Sequence, residues 1–197
     1  MSHATVLVIL KEDENLEDVL APYDENLEDL ERLEFEDRTE ALREEYEKED
    51  KKDISFEQFA CEKRGYVRKD DKYGYFYNPE GYWDYWGIGG RWSNYLKLKE
   101  HVKNKDRVFL DDPKENNPPT HCNECLREDF DYEGQKQEEG KDHLFFAVIK
   151  DGEWHQQALL GWFGCTSDEI DNWPEEEARL LSEADPKDTV VLVDYHI

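Results

Sequence analysis

The chain has 197 residues, of which 51 are acidic and 25 are Lys or Arg, giving a formal net charge of −26. Such a charge repels phosphate backbones and anionic headgroups, which excludes general DNA binding and membrane-surface affinity. Hydrophobic residues make up 37 % and charged residues 39 %, so the core is modest, and six Trp, eleven Tyr and nine Phe must fill much of it.

No run of 18 apolar residues occurs, so no membrane span is expected. The first apolar run, Val6-Leu-Val-Ile-Leu10, is too short and wrongly flanked for a signal peptide. Cysteines at 61, 122, 125 and 165 suit a reducing compartment, and the expectation is a cytoplasmic protein with a single domain over 1–197. The charge itself leaves three readings: solubility, a halophilic origin, or mimicry of a nucleic acid. Sixteen Lys against nine Arg speak against the halophile.

In chain order, residues 4–10 read as a buried strand, short and β-branched. Leu20-Ala-Pro-Tyr-Asp-Glu-Asn26 is a loop punctuated by Pro22 and Asn26. Leucines at 27, 30 and 33 suggest a short amphipathic helix or an irregular turn. Thr39 is placed as the N-cap of a helix to about residue 51, and Ser55-Phe-Glu-Gln58 is a capping-box pattern opening another. Together 24–62 form an acidic helical arm; residues 12–57 hold 21 acids.

Residues 65–77 are Tyr-rich and extended, Asn78-Pro-Glu-Gly81 is a turn, and 82–98 are extended with a break at Gly87–Gly90. Residues 99–141 are polar and read as a loop-rich insertion. A strand over 143–149, a hairpin turn at Asp151-Gly152, and an apolar element at 158–164 follow. Pro174 ahead of three Glu starts a helix running to about Ala184, and Thr189–Asp194 is a buried strand. Strands are grouped rather than alternating with helices. The expected fold class is therefore α+β, a mostly antiparallel sheet with helices on one face, plus the acidic arm and the insertion.

Five segments carry a resemblance: Met1–Ile9, Leu20–Asn26, Asn78–Trp92, Gly161–Asp168 and Asp188–Ile197. Together they resemble a family of uncharacterised proteins common in bacteriophages and prophages. Its marks are an Asn-Pro…Trp-Asp-x-Tyr-x-Ile-Gly-Gly-Arg-Trp segment and a C-terminal Asp-x-His-Ile. The resemblance implies a phage accessory protein and nothing firmer; the host cytoplasm as location and a counter-defence setting are expectations from that phage context, not from the residues. The chain departs from the pattern at Tyr195, where Cys is expected, and in the Cys-x-x-Cys of 99–141.

The candidate chemistry centres on 82–92. Residues 63–107 carry eleven Lys or Arg against six acids, the one basic block of the chain, and the aromatic motif lies inside it. Trp83, Tyr85, Trp86 and Trp92 are candidates to stack on a base, and Asp84 to accept from a base edge or ribose; Trp83 and Tyr85 share one strand face and Trp86 lies on the other, so at most one face lines a site. Gly89 and Gly90 allow close backbone approach, so with Arg91 they suit a phosphate or carboxylate. The alternative is a β-bulge, with Arg91 paired to an acid such as Asp84 and the rings in the core.

Asp24, Glu25 and Asn26 form a polar knot directly after Pro22-Tyr23, and Tyr23, Asp24 and Asn26 join the candidate ligand-binding set. Asp194 and His196 are the candidate catalytic pair, a general base or a hard-metal ligand set, if strands 4–10 and 189–194 are neighbours. His121, Cys122 and Cys125 offer half of a zinc site, to be completed from His101, His143, Cys61 or Cys165; the alternative is two reduced thiols. Otherwise the cofactor is unknown. The leading expectation is a protein that binds a nucleotide-like anion, with hydrolysis an open second step. The alternatives are an acidic nucleic-acid mimic that blocks a basic host protein, and a structural or assembly protein without a ligand.

Overall fold

The structure is a computed structural model and describes residues 2–49, 54–100, 102, 108–109, 120–160 and 165–196. It is α+β with mostly antiparallel sheets. Two compact units are present, Met1–Ala21 with Trp83–Ile197, and Pro22–Tyr82.

The strands in chain order are β1 (His3–Leu10), β2 (Glu34–Asp37), β3 (Val67–Lys69), β4 (Lys72–Tyr77), β5 (Tyr85–Ile88), β6 (Leu96–Lys97), β7 (Val108–Phe109) and β8 (His121–Cys122). They continue as β9 (Glu124–Leu126), β10 (Ala147–Lys150), β11 (Glu153–Gln156), β12 (Leu159–Leu160), β13 (Thr166–Ser167) and β14 (Thr189–His196). The helices are α1 (Leu16–Leu20), α2 (Thr39–Lys48), α3 (Phe56–Gln58), α4 (Tyr132–Glu139) and α5 (Trp173–Glu183).

The first unit is built on a sheet of order β11-β10-β1-β14-β9-β7, with β5 also paired to β14. The ladder β1–β14 runs unbroken from His3↔His196 to Leu10↔Thr189. Both strands are covered on both faces, which is why they read as continuous Val, Leu and Ile runs rather than alternating ones. The pair β1–β10 is parallel, the exception to the antiparallel pattern.

On one face Leu7, Ile9, Val148, Val190 and Leu192 meet Phe130, Phe145, Trp173, Leu180 and Leu181. Each such fully buried aliphatic side chain contributes about 1.5–3 kcal/mol. Helix α5 begins with Pro174 in its first turn, as its sequence predicts, and is fixed by polar contacts as well. The Trp173 indole N–H donates to the Phe145 carbonyl at 2.9 Å. The fully buried Glu177 carboxylate accepts the N–H groups of Leu144 and Phe145, both at 2.8 Å.

The segment 99–141 departs from the insertion anticipated. Its described part from 120 onward contains β8, β9 and α4, and Cys122, Cys125, Phe130 and Tyr132 belong to the core. The polar composition misleads because α4 buries only Tyr132 and Gln135 and leaves its other residues exposed or half-buried. His101, a candidate to complete the zinc site, and residues 103–107 and 110–119 lie outside the described residues, as does 161–164 of the apolar element read at 158–164.

The second unit carries a three-stranded sheet of order β2-β4-β3. Leu42 of α2, Phe59, Ala60 and Tyr73 form its small core, with Tyr46 and Phe56 against it. The Ser55 capping box forms as the sequence predicts, and the chain then passes into a π-helical turn over Phe59–Lys63. Thr39 is the first helical residue rather than the cap. The Asp37 carboxylate takes its N–H, and its hydroxyl accepts the Tyr73 N–H at 2.8 Å. The leucines at 27, 30 and 33 precede β2 in turn structure, not helix.

Two stability outcomes follow from Glu177. Glu177→Ala leaves two buried N–H groups without an acceptor and is expected to cost about 2–5 kcal/mol by urea denaturation. Burial pushes the carboxyl above its ordinary 4.5. The unfolded chain then releases this proton at lower pH than the folded chain, so this group's contribution falls as pH rises from about 4.5 through the folded value. Glu177→Gln is expected to remove that slope from the urea midpoint measured against pH.

Candidate active site

The β1–β14 pairing puts His3, Asp194 and His196 on one face, because directly opposed residues share a face and alternate ones return to it. Strand β5 adds its side chains from beyond β14, with Tyr85 opposite His196 and Gly87 opposite Asp194. His3 Nδ1 lies 2.8 Å from Asp194 Oδ1, and His196 Nδ1 lies 2.5 Å from Asp84 Oδ1. The two imidazole centroids are 4.9 Å apart with planes tilted by 60°. The result is two aspartate–histidine pairs side by side.

An ionised carboxylate only accepts hydrogen bonds, so each Nδ1 is assigned as the donor, leaving Nε2 of each ring with its lone pair. His196 Nε2 is buried and has no hydrogen-bond partner among the described residues. A buried polar atom left unpaired costs about 1–3 kcal/mol, so native structures rarely keep one without a ligand, a water or a chemical role to explain it. Asp194 is 6 % exposed and Asp84 lies at the rim of the pair.

The Gly89-Gly90-Arg91 turn serves this carboxylate rather than cradling a foreign anion with its glycine N–H groups. Gly89 and Gly90 have φ of 68° and 48°, and the chain closes into a 3-10 turn over Gly90–Trp92. The Gly89 N–H donates to the Leu192 carbonyl at 2.8 Å, and the Arg91 N–H donates to Asp194 Oδ2 at 2.9 Å. A Cβ on Gly90 would overlap the Asp194 carboxylate, and one on Gly89 would overlap the Asn123 amide. Asn123, between β8 and β9, is itself buried; its side-chain oxygen accepts the Asn94 N–H, and its carbonyl accepts the Leu192 N–H at 2.8 Å.

The other anticipated residues divide. Arg91 is exposed, and its guanidinium pairs with no acid among the described residues; Asp84, its expected partner, is taken by His196. Tyr85 is 67 % exposed. Trp83 is a core residue whose indole N–H donates to the Leu20 carbonyl at 3.1 Å, and Trp92 packs against the main core. Tyr23, Asp24 and Asn26 belong to the second unit. There Asn78 Nδ2 donates to the carbonyls of Pro22 and Asp24 at 2.8 and 2.9 Å, and Asp24 Oδ1 accepts the Asn26 N–H at 2.8 Å. The polar knot is thus a loop tied to the Asn78-Pro turn, with Tyr23 stacked on Tyr82.

The zinc expectation at His121, Cys122 and Cys125 meets a different environment. Both thiols are buried in the core, and the neighbouring Cys122 sulfur together with burial pushes the Cys125 thiol well above its ordinary value. A thiol held protonated is a poor ligand. His121 Nδ1 lies 3.0 Å from the Thr120 hydroxyl. Among the described residues no group of three or more His, Cys, Asp or Glu is arranged to hold a metal.

The acidic arm is partly neutralised within its own unit, by Arg64–Glu45 at 2.8 Å and Lys63–Glu49 at 2.7 Å. Among the described residues no helix is long and apolar enough to cross a membrane.

His3 is the residue that sequence reasoning missed. A lone histidine before a strand carries no signal of its own; it becomes one once the register sets it beside Asp194. Compared with known proteins, the chain matches no family model, no curated protein and no solved structure.

Two glycine substitutions separate backbone strain from packing against Asp194. Gly65→Ala, at φ 77° with nothing within 4 Å of the added Cβ, is expected to cost only the positive-φ penalty of about 1–2 kcal/mol. Gly90→Ala adds overlap with Asp194 and is expected to cost clearly more, measured by the same chemical denaturation.

Proposed function

We propose that this protein binds a nucleotide-like phosphoester anion at the His3–His196 pair and hydrolyses it by general acid–base chemistry. The observation that carries this reading is the pair of Asp-oriented imidazoles 4.9 Å apart, one with a buried and unpartnered Nε2. One Nε2 takes a proton from water as the water oxygen bonds to phosphorus. The other imidazole, protonated, gives its proton to the leaving oxygen as the P–O bond breaks. Asp84 and Asp194 hold each ring in its tautomer and offset the imidazolium charge, and the unpaired Arg91 supplies a cation for the anion.

The reading fits the resemblance to phage accessory proteins. A small hydrolase of nucleotide-type signals would suit a counter-defence role, and the host cytoplasm is where it would meet them.

The test is hydrolysis of bis(p-nitrophenyl) phosphate by the full chain. His3→Ala and His196→Ala are each expected to lower kcat by about 10²–10⁴-fold with the thermal midpoint retained. Arg91→Ala is expected to raise KM while folding is intact. Turnover unaffected by both histidine variants would refute the acid–base assignment; an unfolded Arg91→Ala would make Arg91 structural.

A further inference from the structure

Strand β5 brings a second feature to the dyad face. Tyr85 is directly opposite His196 in the ladder, so both side chains leave the sheet on the same side. Its ring is 67 % exposed and makes no hydrogen bond, ion pair or ring contact with any described residue. Of the described large apolar or aromatic side chains with comparable exposure, Leu30 at 69 % lies in the other unit. Every other ring of the 82–92 motif has some cover, Trp83 fully and Tyr82, Trp86 and Trp92 in part.

Two residues on, Gly87 is directly opposite Asp194. A Cβ built on Gly87 would find only the Tyr85 hydroxyl, 3.8 Å away, and no other atom within 4 Å. The Tyr85 ring therefore leans along the strand toward Gly87, over open floor beside the two imidazoles. The positive φ that explains Gly89 and Gly90 is absent at Gly87, so its missing side chain has no backbone reason. It leaves open space beside Tyr85 on the face that Asp194 and His196 share.

We infer that the ligand of this site carries a planar heteroaromatic ring that stacks on Tyr85, with its phosphoester group over Gly87 next to the imidazole pair; the inference rests on the acid–base reading above. A flat π-face suits any purine or pyrimidine, and its energy is largely independent of base identity. Tyr85 then supplies base affinity, Arg91 a cation for the phosphate, and the histidines the chemistry. This also assigns the two faces of β5. Tyr85 and Gly87 serve the ligand, while the half-buried Trp86, opposite the buried Tyr195, and the exposed Ile88, opposite the buried Val193, lie on the other face.

The probes are adenosine 5′-monophosphate and ribose 5-phosphate, which differ only in the base, titrated calorimetrically into the full chain. The wild-type chain is expected to bind the nucleotide about ten- to a hundredfold more tightly than the sugar phosphate. Tyr85→Ala is expected to abolish that preference and leave ribose 5-phosphate affinity unchanged, while Tyr85→Phe keeps it. A preference that survives Tyr85→Ala, or a wild type with equal affinity for both probes, overturns the stacking inference but leaves the anion site standing. Binding of neither probe by the wild-type chain overturns both.

Discussion

The antiparallel ladder between His3–Leu10 and Thr189–His196 is the constraint on which the rest of the first unit depends. It joins two segments nearly 190 residues apart in sequence, so its closure carries a large loop entropy that only a long and fully buried pairing offsets. Eight paired residues with Val, Leu and Ile on both faces provide that. Once the register is set, every polar position at its His3 end is fixed as well. A slip of one residue would turn Asp194 and His196 to the opposite face and bring Tyr195 into their place.

The far side of β14 shows how the candidate site is held. Strand β9 pairs with Thr189–Val191 and β5 with Val193–His196, and the change of partner falls at Leu192. There the Leu192 N–H goes to the Asn123 carbonyl and its C=O to the Gly89 N–H, so no backbone group is lost at the break. The Gly-Gly turn springs from this junction and delivers the Arg91 N–H to Asp194. The motif that looks like an anion cradle in sequence does bind an anion with its backbone, but the anion is the chain's own carboxylate. Its exposed guanidinium is what remains for a ligand.

Much of this was legible beforehand where the signal is local. The continuous β-branched runs, the Ser55 capping box, Pro174 ahead of three glutamates and the Asp151-Gly152 hairpin each follow from neighbours within a few residues, and each forms. What was not legible depends on distant partners. Thr39 looks like a cap because Tyr73, which uses its hydroxyl, is 34 residues away. The Cys-x-x-Cys looks like a ligand pair because nothing in 121–126 announces that two successive strands carry both thiols into the core. Asp194 and His196 stand out as candidates in sequence and His3 does not, since a histidine far from any other polar candidate gains its meaning only from the strand opposite.

On these contacts Asp84 and Asp194 hold two neighbouring imidazoles as Nδ1–H tautomers, with Nε2 left for proton transfer. Long-range ¹⁵N–¹H correlation spectra of the histidine side chains test it most directly, because protonated and unprotonated ring nitrogens differ widely in shift. The account predicts that His3 and His196 each show Nδ1 protonated in the neutral form, and that Asp84→Asn and Asp194→Asn each release only the ring they face. Neutral rings protonated at Nε2 in the unaltered chain would contradict it.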